Sequence, residues 1–147
     1  MPISTRELFA RLIKCEAGGE GETGMKAVAN VIMNRVFVTG GQYLREYEGD
    51  LRRVMEAPWE FTCMMTIVGG EANPQTVWSS EPEQIHYDIA DWALSGHKLQ
   101  GVAECLWYYN PFAPDCAKYF PSNGNGVIFN RINQHCFYTP TASYFET

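Results

Sequence analysis

The residue best placed to do chemistry is Glu16, an acid at the end of a predicted helix. Ser4 followed three residues later by Glu7 is typical of a capping box, so we expect the helix to begin there. The apolar side chains that then recur at helical spacing are Leu8, Phe9, Leu12 and Ile13. At ~100° per residue, Glu16 falls on the same side of the helix as this apolar stripe. The alternative is a frayed helix end, at which the carboxylate turns into solvent.

Burial would change the chemistry of this carboxyl group. Removal from water disfavours the ionised form and raises the pKa. The C-terminal end of a helix is the negative pole of its dipole, which acts in the same direction. Such a group can hold a proton near neutral pH and donate it to a departing oxygen, so Glu16 is a candidate general acid.

A glycine-rich segment follows the acid. Residues 17–24 contain four glycines and two further acids, Glu20 and Glu22, so the backbone can approach whatever lies beside Glu16. A second helix is predicted over residues 25–36, where apolar side chains keep the 3.6-residue period. Glu20 and Glu22 would precede the N-terminus of this helix, where negative charge is favourable.

The order of residues in this region resembles the opening signature of the SleB/CwlJ family of bacterial cell-wall hydrolases, the spore cortex-lytic enzymes. The matching pattern is Cys15-Glu16-Ala17-x-Gly19-Glu20, a glycine at 24, then Ala27-Val28-Ala29-x-Val31-Ile32-x-Asn34-Arg35. The family motif is GEAxGE and its first Glu is catalytic. The resemblance therefore implies that Glu16 is catalytic, while Cys15 replaces the usual Gly.

Later segments extend the resemblance to about residues 6–138. Residues 58–63 lie where the family has a motif near QFS, residues 108–111 match a YYNP-like segment, and residues 132–137 match the closing His-x-Phe, with Asn133 at the usual Gly. The resemblance implies a sugar-binding groove. The residues expected to contact substrate there are Glu20, Phe61, Thr62, Tyr108, Tyr109, Asn110, His135 and Phe137.

Aromatic rings next to an amide are suited to binding sugars. Sugar C–H faces pack on aromatic planes, while tyrosine hydroxyls and an Asn amide can bond to sugar hydroxyls and N-acetyl groups. For Trp59 and Phe61 the alternative is packing in the core. For Tyr108 and Tyr109 it is a core strand with half-exposed tyrosines.

The remaining segments complete the predicted fold. Residues 50–56 indicate a short helix, and residues 64–68 suit either a strand or a buried helix. A further helix should begin at a Ser80–Glu83 capping box and end near Gly96, with His86 and His97 in solvent. Residues 127–129 should pair with residues 135–138 across a turn at 130–133. Together with the resemblance, these segments predict an α+β fold: a mainly helical lysozyme-like domain with a small antiparallel β hairpin or sheet. We expect a single catalytic domain that spans residues 1–147.

Composition limits the partners. A net charge of -6 and a pI near 5.0 argue against a nucleic-acid surface. No stretch approaches the ~20 apolar residues that span a bilayer, and the N-terminus lacks a signal pattern. We therefore expect a protein made without a secretion signal, or a trimmed sequence, that resembles the CwlJ-type members and acts at the spore envelope or bacterial cell wall. The sequence leaves open whether an accessory protein directs the chain to its place of action.

The five cysteines form no CxxC, and pairing them leaves one over. This suits reduced thiols better than a disulfide frame. A zinc site would have to use Cys105, Cys116, His135 and Cys136. Their spacing matches no metal motif, so the sequence predicts no metal and no organic cofactor. Neighbouring His135 and Cys136 would face opposite sides of a strand and cannot form a Cys–His dyad.

The reaction depends on whether Glu16 acts alone. Ordinary glycosidases use a second carboxylate, and only Glu20 and Glu22 are nearby in sequence. The resemblance favours a lytic transglycosylase that cuts the MurNAc-GlcNAc bond of peptidoglycan, with Glu16 as general acid and then base. The alternatives are a hydrolytic muramidase, a peptidoglycan-binding module without activity, and a thiol enzyme acting through Cys15 or Cys136.

Overall fold

The computed structural model describes residues 3–79 and 81–147 as an α+β fold. The helices are α1 Thr5–Ala17, α2 Gly21–Phe37, α3 Gly41–Tyr47, α4 Leu51–Glu56, α5 Gln84–Leu94 and α6 Ala142–Phe145. The strands are β1 Ile67–Val68, β2 Glu71–Ala72, β3 Trp107–Tyr109, β4 Gly126–Ile132 and β5 His135–Pro140. Two 3₁₀ turns lie at Gly18–Glu20 and Thr62–Met64.

Helices α1, α2 and α5 pack on one another and form the main core. Ser4 Oγ accepts a hydrogen bond from Glu7 N at 3.1 Å, so α1 begins where its capping residues predict. The apolar stripe of α1 is fully buried, as predicted. Glu16 follows that stripe in the last turn of α1, which extends to Ala17.

The second helix is longer than its apolar period predicts. It begins at Gly21, so only the turn Gly18–Glu20 of the glycine-rich segment lies outside the two helices as a connection. Glu22 lies in the first turn of α2. Gly21 has φ 76°, which only glycine adopts readily. The chain therefore turns sharply at Gly21.

Polar residues of α2 anchor the segment that leads into β3. Asn34 Nδ2 donates to the carbonyl oxygens of Ala103 and Cys105 at 2.7 and 2.9 Å, and Arg35 Nε donates to Leu106 O at 2.8 Å. These α2 side chains are buried, so their hydrogen bonds are shielded from water. They fix the start of β3 against α2, and with it Tyr108.

The larger sheet has the order β3-β5-β4, antiparallel throughout. Tyr108 pairs with Phe137 and Tyr109 with Cys136. The β4–β5 turn is shorter than predicted: Asn130 is still in β4, and only Asn133 and Gln134 connect the strands. Asn133 has φ 52°, a left-handed conformation that Asn tolerates better than most residues.

Several other segments differ from expectation. Helix α3 was not predicted, and residues 64–68 end the second 3₁₀ turn and enter an exposed two-strand hairpin, β1–β2. Ser80 lies outside the described residues. Helix α5 is capped by Glu83 and His86, whose Nδ1 accepts from Glu83 N at 2.9 Å. His86 is consequently buried, not solvated as predicted, whereas His97 is exposed.

The prediction of reduced thiols is wrong. Among the described residues, disulfides join Cys15 to Cys63 and Cys116 to Cys136, and Cys105 is a buried free thiol. Burial raises the pKa of Cys105 to about 12, so this thiol is not activated. The sequence spacing gave no signal of these pairs because both are formed between residues far apart in the chain.

None of the helices in the described part of the chain combines the length and apolarity needed to cross a membrane.

Candidate active site

Glu16 and Tyr108 meet across the boundary between α1 and the sheet. The hydroxyl of Tyr108 donates to Oε1 of Glu16 at 2.6 Å, which is short for an O–H···O bond. Burial raises the pKa of Glu16, and the Tyr108 hydrogen bond lowers it by a smaller amount. The pKa of Tyr108 is raised by its own burial and then by Glu16. Tyr108 therefore stays protonated as a donor.

Three further groups act on the Glu16 carboxyl group. His135, the backbone N–H of Cys63 and the guanidinium of Arg35 each favour the carboxylate and lower its pKa. Burial outweighs them. The site thus holds Glu16 protonated beyond its ordinary range and surrounds it with groups that stabilise the anion once the proton has left.

Glu20 clamps the β4–β5 turn to the start of α2. Its Oε1 lies 2.7 Å from His135 Nδ1 and accepts from Gln134 N at 3.1 Å, while its backbone oxygen accepts from Asn133 Nδ2 at 2.7 Å. The His135 ring in turn meets Tyr108 edge to face, with centroids 5.3 Å apart. Glu20 therefore orients His135 beside Tyr108. By contrast, the side chain of Glu22 is 62% exposed.

A cleft of about 790 Å³ opens beside Glu16. Its lining residues from α1 and the following turn are Lys14, Cys15, Glu16, Ala17, Gly18, Gly19 and Glu20. Those from other segments are Pro74, Gln75, Thr76, Ser79, Glu83, His86, Asn110, Phe112 and His135. A cleft of this size accommodates a ligand the size of a few sugar rings.

Among the residues that the structure describes, three acids line the cleft, and two of them already have structural partners. Glu20 binds His135 and Gln134, and the Glu83 carboxylate caps α5. Glu16 is the lining acid whose pKa is raised by burial. The cleft therefore presents one proton donor of the kind a general acid requires.

The structure brings four of the predicted site residues together around this donor. Glu20, Asn110 and His135 line the cleft, and Tyr108 contacts Glu16 directly. Asn110 Oδ1 accepts from Phe112 N at 2.8 Å, which leaves its amide N–H groups available. Their contacts with substrate stay predictions.

Tyr109 and Thr62 do not line the cleft. Tyr109 lies in an aromatic stack, with its ring centroid 4.5 Å from Phe120 and 5.7 Å from Tyr138. Thr62 is exposed in the second 3₁₀ turn, and its carbonyl oxygen accepts from Asn73 Nδ2 at 3.1 Å. Both residues support neighbouring segments in this structure.

The prediction that Phe61 and Phe137 contact substrate in the groove is wrong. Phe61 is 2% exposed and packs under the guanidinium of Arg35, with Cζ 5.4 Å from the ring centroid. Phe137 is fully buried and packs with Val31 and Val102. For Phe61 the alternative of core packing therefore holds, and Phe137 packs in the core as well. Trp59, which packing would have buried, is 83% exposed.

Sequence reasoning missed several lining residues. Lys14, Thr76 and His86 line the cleft. Lys14 lies on α1 with Glu16, whereas only tertiary contacts bring Thr76 and His86 there. Arg35 belongs to the segment that matches the family motif, and a cation between the apolar residues Ile32 and Val36 was a usable signal of a buried partner. That partner is Glu60, 3.1 Å away.

The two thiol-based alternatives fail in this structure. Cys15 and Cys136, the candidate nucleophiles, are both in disulfides. The zinc alternative loses Cys116 and Cys136 as ligands, because they are bonded to each other.

Known proteins resemble this chain over most of its length. A family model described as Cell Wall Hydrolase matches residues 19–138. The chain is similar to the cell wall hydrolase CwlJ of Halalkalibacterium halodurans, with 27% identity over 137 residues, 93% of this chain and 86% of that protein. It is also similar to CwlJ of Bacillus subtilis, with 28% identity over 142 residues, 95% of this chain and 88% of that protein.

Two solved structures share the fold. The catalytic domain of the germination-specific lytic transglycosylase SleB from Bacillus anthracis has a TM-score of 0.65 and 21% identity, covering 95% of this chain and 97% of that one. The catalytic domain of Bacillus cereus SleB has a TM-score of 0.66 and 22% identity, covering 92% and 89%. The predicted α+β, lysozyme-like fold is confirmed.

Proposed function

The chain belongs to the cell wall hydrolase family, and from this premise we propose that it cuts the glycan strands of peptidoglycan as a lytic transglycosylase. The observation that carries the proposal is Glu16, a single acid whose pKa burial raises, placed at a cleft and hydrogen-bonded to Tyr108. The other acids that line the cleft are engaged by their own partners. This arrangement favours a mechanism that needs one acid.

The proposed reaction uses the same carboxyl group twice. Protonated Glu16 donates its proton to the oxygen that leaves C1 of MurNAc, and the glycosidic bond breaks. The carboxylate then takes the proton of the sugar's own C6 hydroxyl as that oxygen bonds to C1. The products are a 1,6-anhydro sugar and a free hydroxyl on GlcNAc, and Glu16 is protonated again.

Neighbouring groups support the second half of this cycle. The hydrogen bond from Tyr108 and the charge of Arg35 stabilise the Glu16 carboxylate while it waits for the C6 proton. Asn110, at the cleft, is suited to a sugar hydroxyl or N-acetyl group. No metal or organic cofactor is needed for these steps.

The relatives give the proposal its biological setting. One structural neighbour is described as a germination-specific lytic transglycosylase, and the curated relatives are cell wall hydrolases. We therefore propose the spore cortex as substrate, during germination, and the spore envelope or cell wall as the place of action. An accessory protein that directs the chain there is compatible with this setting.

The first test is the Glu16→Gln variant on purified peptidoglycan. An amide of the same shape cannot donate the proton, so release of soluble fragments should fall by at least about 100-fold. Glu22→Gln, an exposed acid on the next helix, is the matched control and should keep full activity. A Glu16→Gln variant that still releases fragments would exclude the proposed role.

Product chemistry separates the remaining alternatives. Mass spectrometry of fragments from cortex-type and ordinary walls should find 1,6-anhydro ends. Reducing ends would indicate a hydrolytic muramidase, which adds water at C1 in place of the C6 hydroxyl. If the unmodified protein binds the wall polymer but releases no fragments from it, the chain is a binding module.

A further inference from the structure

The disulfide between Cys15 and Cys63 joins the end of α1 to the 3₁₀ turn Thr62–Met64. The two Cα atoms are 6.1 Å apart, and 48 positions separate the cysteines in sequence. Cys15 directly precedes Glu16 and lines the cleft, whereas Cys63 is 6% exposed. A covalent bond therefore lies beside the candidate acid.

Cys63 contacts the site through its backbone as well as its sulfur. Its N–H interacts with the Glu16 carboxylate and favours the ionised form. Its carbonyl oxygen accepts a hydrogen bond from Val77 N at 3.0 Å. One residue thus connects α1, the acid and the segment that contains Val77.

That segment forms part of the cleft. Residues 74–76 and Ser79 line it. The hydrogen bonds that hold the segment run to the second 3₁₀ turn and to α1: Asn73 Nδ2 donates to Thr62 O and Met65 O at 3.1 and 2.9 Å, and Arg11 Nη1 donates to Val77 O at 2.8 Å. Since α1 and this turn carry the two cysteines, the disulfide fixes the distance between the anchors.

We propose that the Cys15–Cys63 disulfide is a positioning element of the active site, which holds the Cys63 N–H at Glu16 and residues 74–79 at the cleft. This inference rests on the proposed function, in which Glu16 is the proton donor. Cys15 replaces the glycine of the family motif, so the bond is a feature of this chain and is not part of that motif.

The expected sign of the effect follows from the groups that face Glu16. These are the hydroxyl of Tyr108 from β3, His135 from β5 with its partner Glu20, Arg35 from α2, and the N–H of Cys63. Opening the disulfide releases the Cys63 N–H and leaves the others in place. Loss of a donor to the carboxylate raises the pKa of Glu16 further.

The test compares two double variants. Cys15→Ala/Cys63→Ala removes the bond beside Glu16, and Cys116→Ala/Cys136→Ala removes the other disulfide and serves as the control. Initial rates of fragment release from peptidoglycan are measured across pH, at a temperature where circular dichroism shows both variants folded. Misplacement of the acid should lower the rate of the first variant by about ten-fold or more. The alkaline limb of its pH–rate profile, where the rate falls as Glu16 loses its proton, should move to higher pH. The control should keep the alkaline limb of the unmodified protein.

A reversible version keeps the test valid if the first variant is unstable. In the Cys116→Ala/Cys136→Ala background, a dithiol reductant supplies two electrons and two protons, so that Cys15 and Cys63 become thiols and the reductant becomes a cyclic disulfide. The rate should fall and the alkaline limb should shift. Removing the dithiol and adding oxidised glutathione, which takes up the two electrons and two protons as the Cys15–Cys63 bond re-forms, should restore both.

The outcomes separate this inference from the function on which it rests. A folded, reduced protein with an unchanged rate and pH profile would overturn the positioning role, even though Glu16→Gln is inactive. A loss of rate in the folded protein without movement of the alkaline limb would overturn the proposal that the bond holds the Cys63 N–H at Glu16, because the pH shift follows from that contact. An active Glu16→Gln variant instead overturns the proposed function itself.

Discussion

At the residue scale, the hydrogen bond from Tyr108 to Glu16 opposes the burial of the acid. Burial raises the pKa of Glu16 above its ordinary value, while the Tyr108 hydroxyl, 2.6 Å from Oε1, favours the carboxylate and lowers that pKa. A general acid that later acts as a base needs both properties, because it must give up its proton and then recover one. In the proposed mechanism, the balance between burial and the Tyr108 hydrogen bond would set the pH range of activity.

Tyr108→Phe tests this balance. The variant keeps the ring but loses the donor, so the pKa of Glu16 should rise and the alkaline limb of the rate should move to higher pH. A hydrogen bond to a charged group contributes about 1.5–3 kcal/mol, so the maximal rate should fall by roughly 10- to 100-fold. Tyr109→Phe is the matched control, since the Tyr109 hydroxyl accepts from Ala117 N at 3.4 Å and interacts with Tyr138, and Tyr109 does not line the cleft. An unshifted profile in Tyr108→Phe would contradict the proposed role of Tyr108.

Single residues were predictable from sequence where a local rule applied. Glu16 was identified by its place on the apolar side of α1, and Tyr108 by a run of aromatics before an amide. The contact between Glu16 and Tyr108 was not predictable, because 92 positions separate them and only the packing of the sheet on α1 brings them together. Phe61 and Phe137 were misassigned because composition cannot tell an aromatic at a groove from one below it.

At the element scale, the turn after α1 and the β4–β5 turn form one unit through Glu20. The carboxylate of Glu20 binds Gln134 N and lies 2.7 Å from His135 Nδ1, and both Glu20 and His135 are shielded from solvent, with side chains 14% and 13% exposed. Gly24 supports this contact, because a Cβ at that position would clash with the Cβ of Glu20. The hairpin is therefore fixed against the start of α2, with His135 held at the cleft.

Glu20→Ala should loosen that unit. Removing the carboxylate leaves His135 Nδ1 and Gln134 N without their partner, so the free energy of unfolding should fall by about 1.5–3 kcal/mol. Fragment release should fall as well, because His135 is no longer oriented beside Tyr108. Urea denaturation and the rate assay measure the two effects. Glu22→Ala, with its exposed acid, should stay within about 0.5 kcal/mol of the unmodified chain. Equal stability of the two variants would contradict the clamp.

Elements were predictable where a period or a cap defined them. The stripe of α1, the period of α2, the short helix α4 and the strand pair β4–β5 all follow local patterns. The start of α2 was placed late, because glycines read as a loop although a 3₁₀ turn and a helix N-terminus accept them here. Helix α3 has two buried tyrosines, Tyr43 and Tyr47, and is too short for its period to be recognised.

At the scale of the whole molecule, the burial that suits Glu16 to the proposed catalysis also affects folding stability. The folded chain binds the proton of Glu16 more tightly than the unfolded chain does, because burial raises the pKa from its ordinary value of 4.5. The stability that this proton contributes is fully present below that value. It is lost as pH rises through the folded-state pKa, and stability is then lower by about 1.4 kcal/mol for each unit by which that pKa is raised.

Glu16→Gln removes this dependence, so the inactive variant should be the more stable protein at alkaline pH. The neutral amide has the shape of the protonated acid and can accept from Tyr108, so the two chains should unfold at similar urea concentrations at pH 4. Their midpoints should separate with increasing pH until Glu16 is fully ionised, and then stay apart by a constant amount. Glu22→Gln, at an exposed acid, should follow the unmodified chain throughout. Urea midpoints measured from pH 4 to 9 provide the check, and parallel curves for Glu16→Gln and the unmodified chain would mean that the acid is solvated in the folded protein.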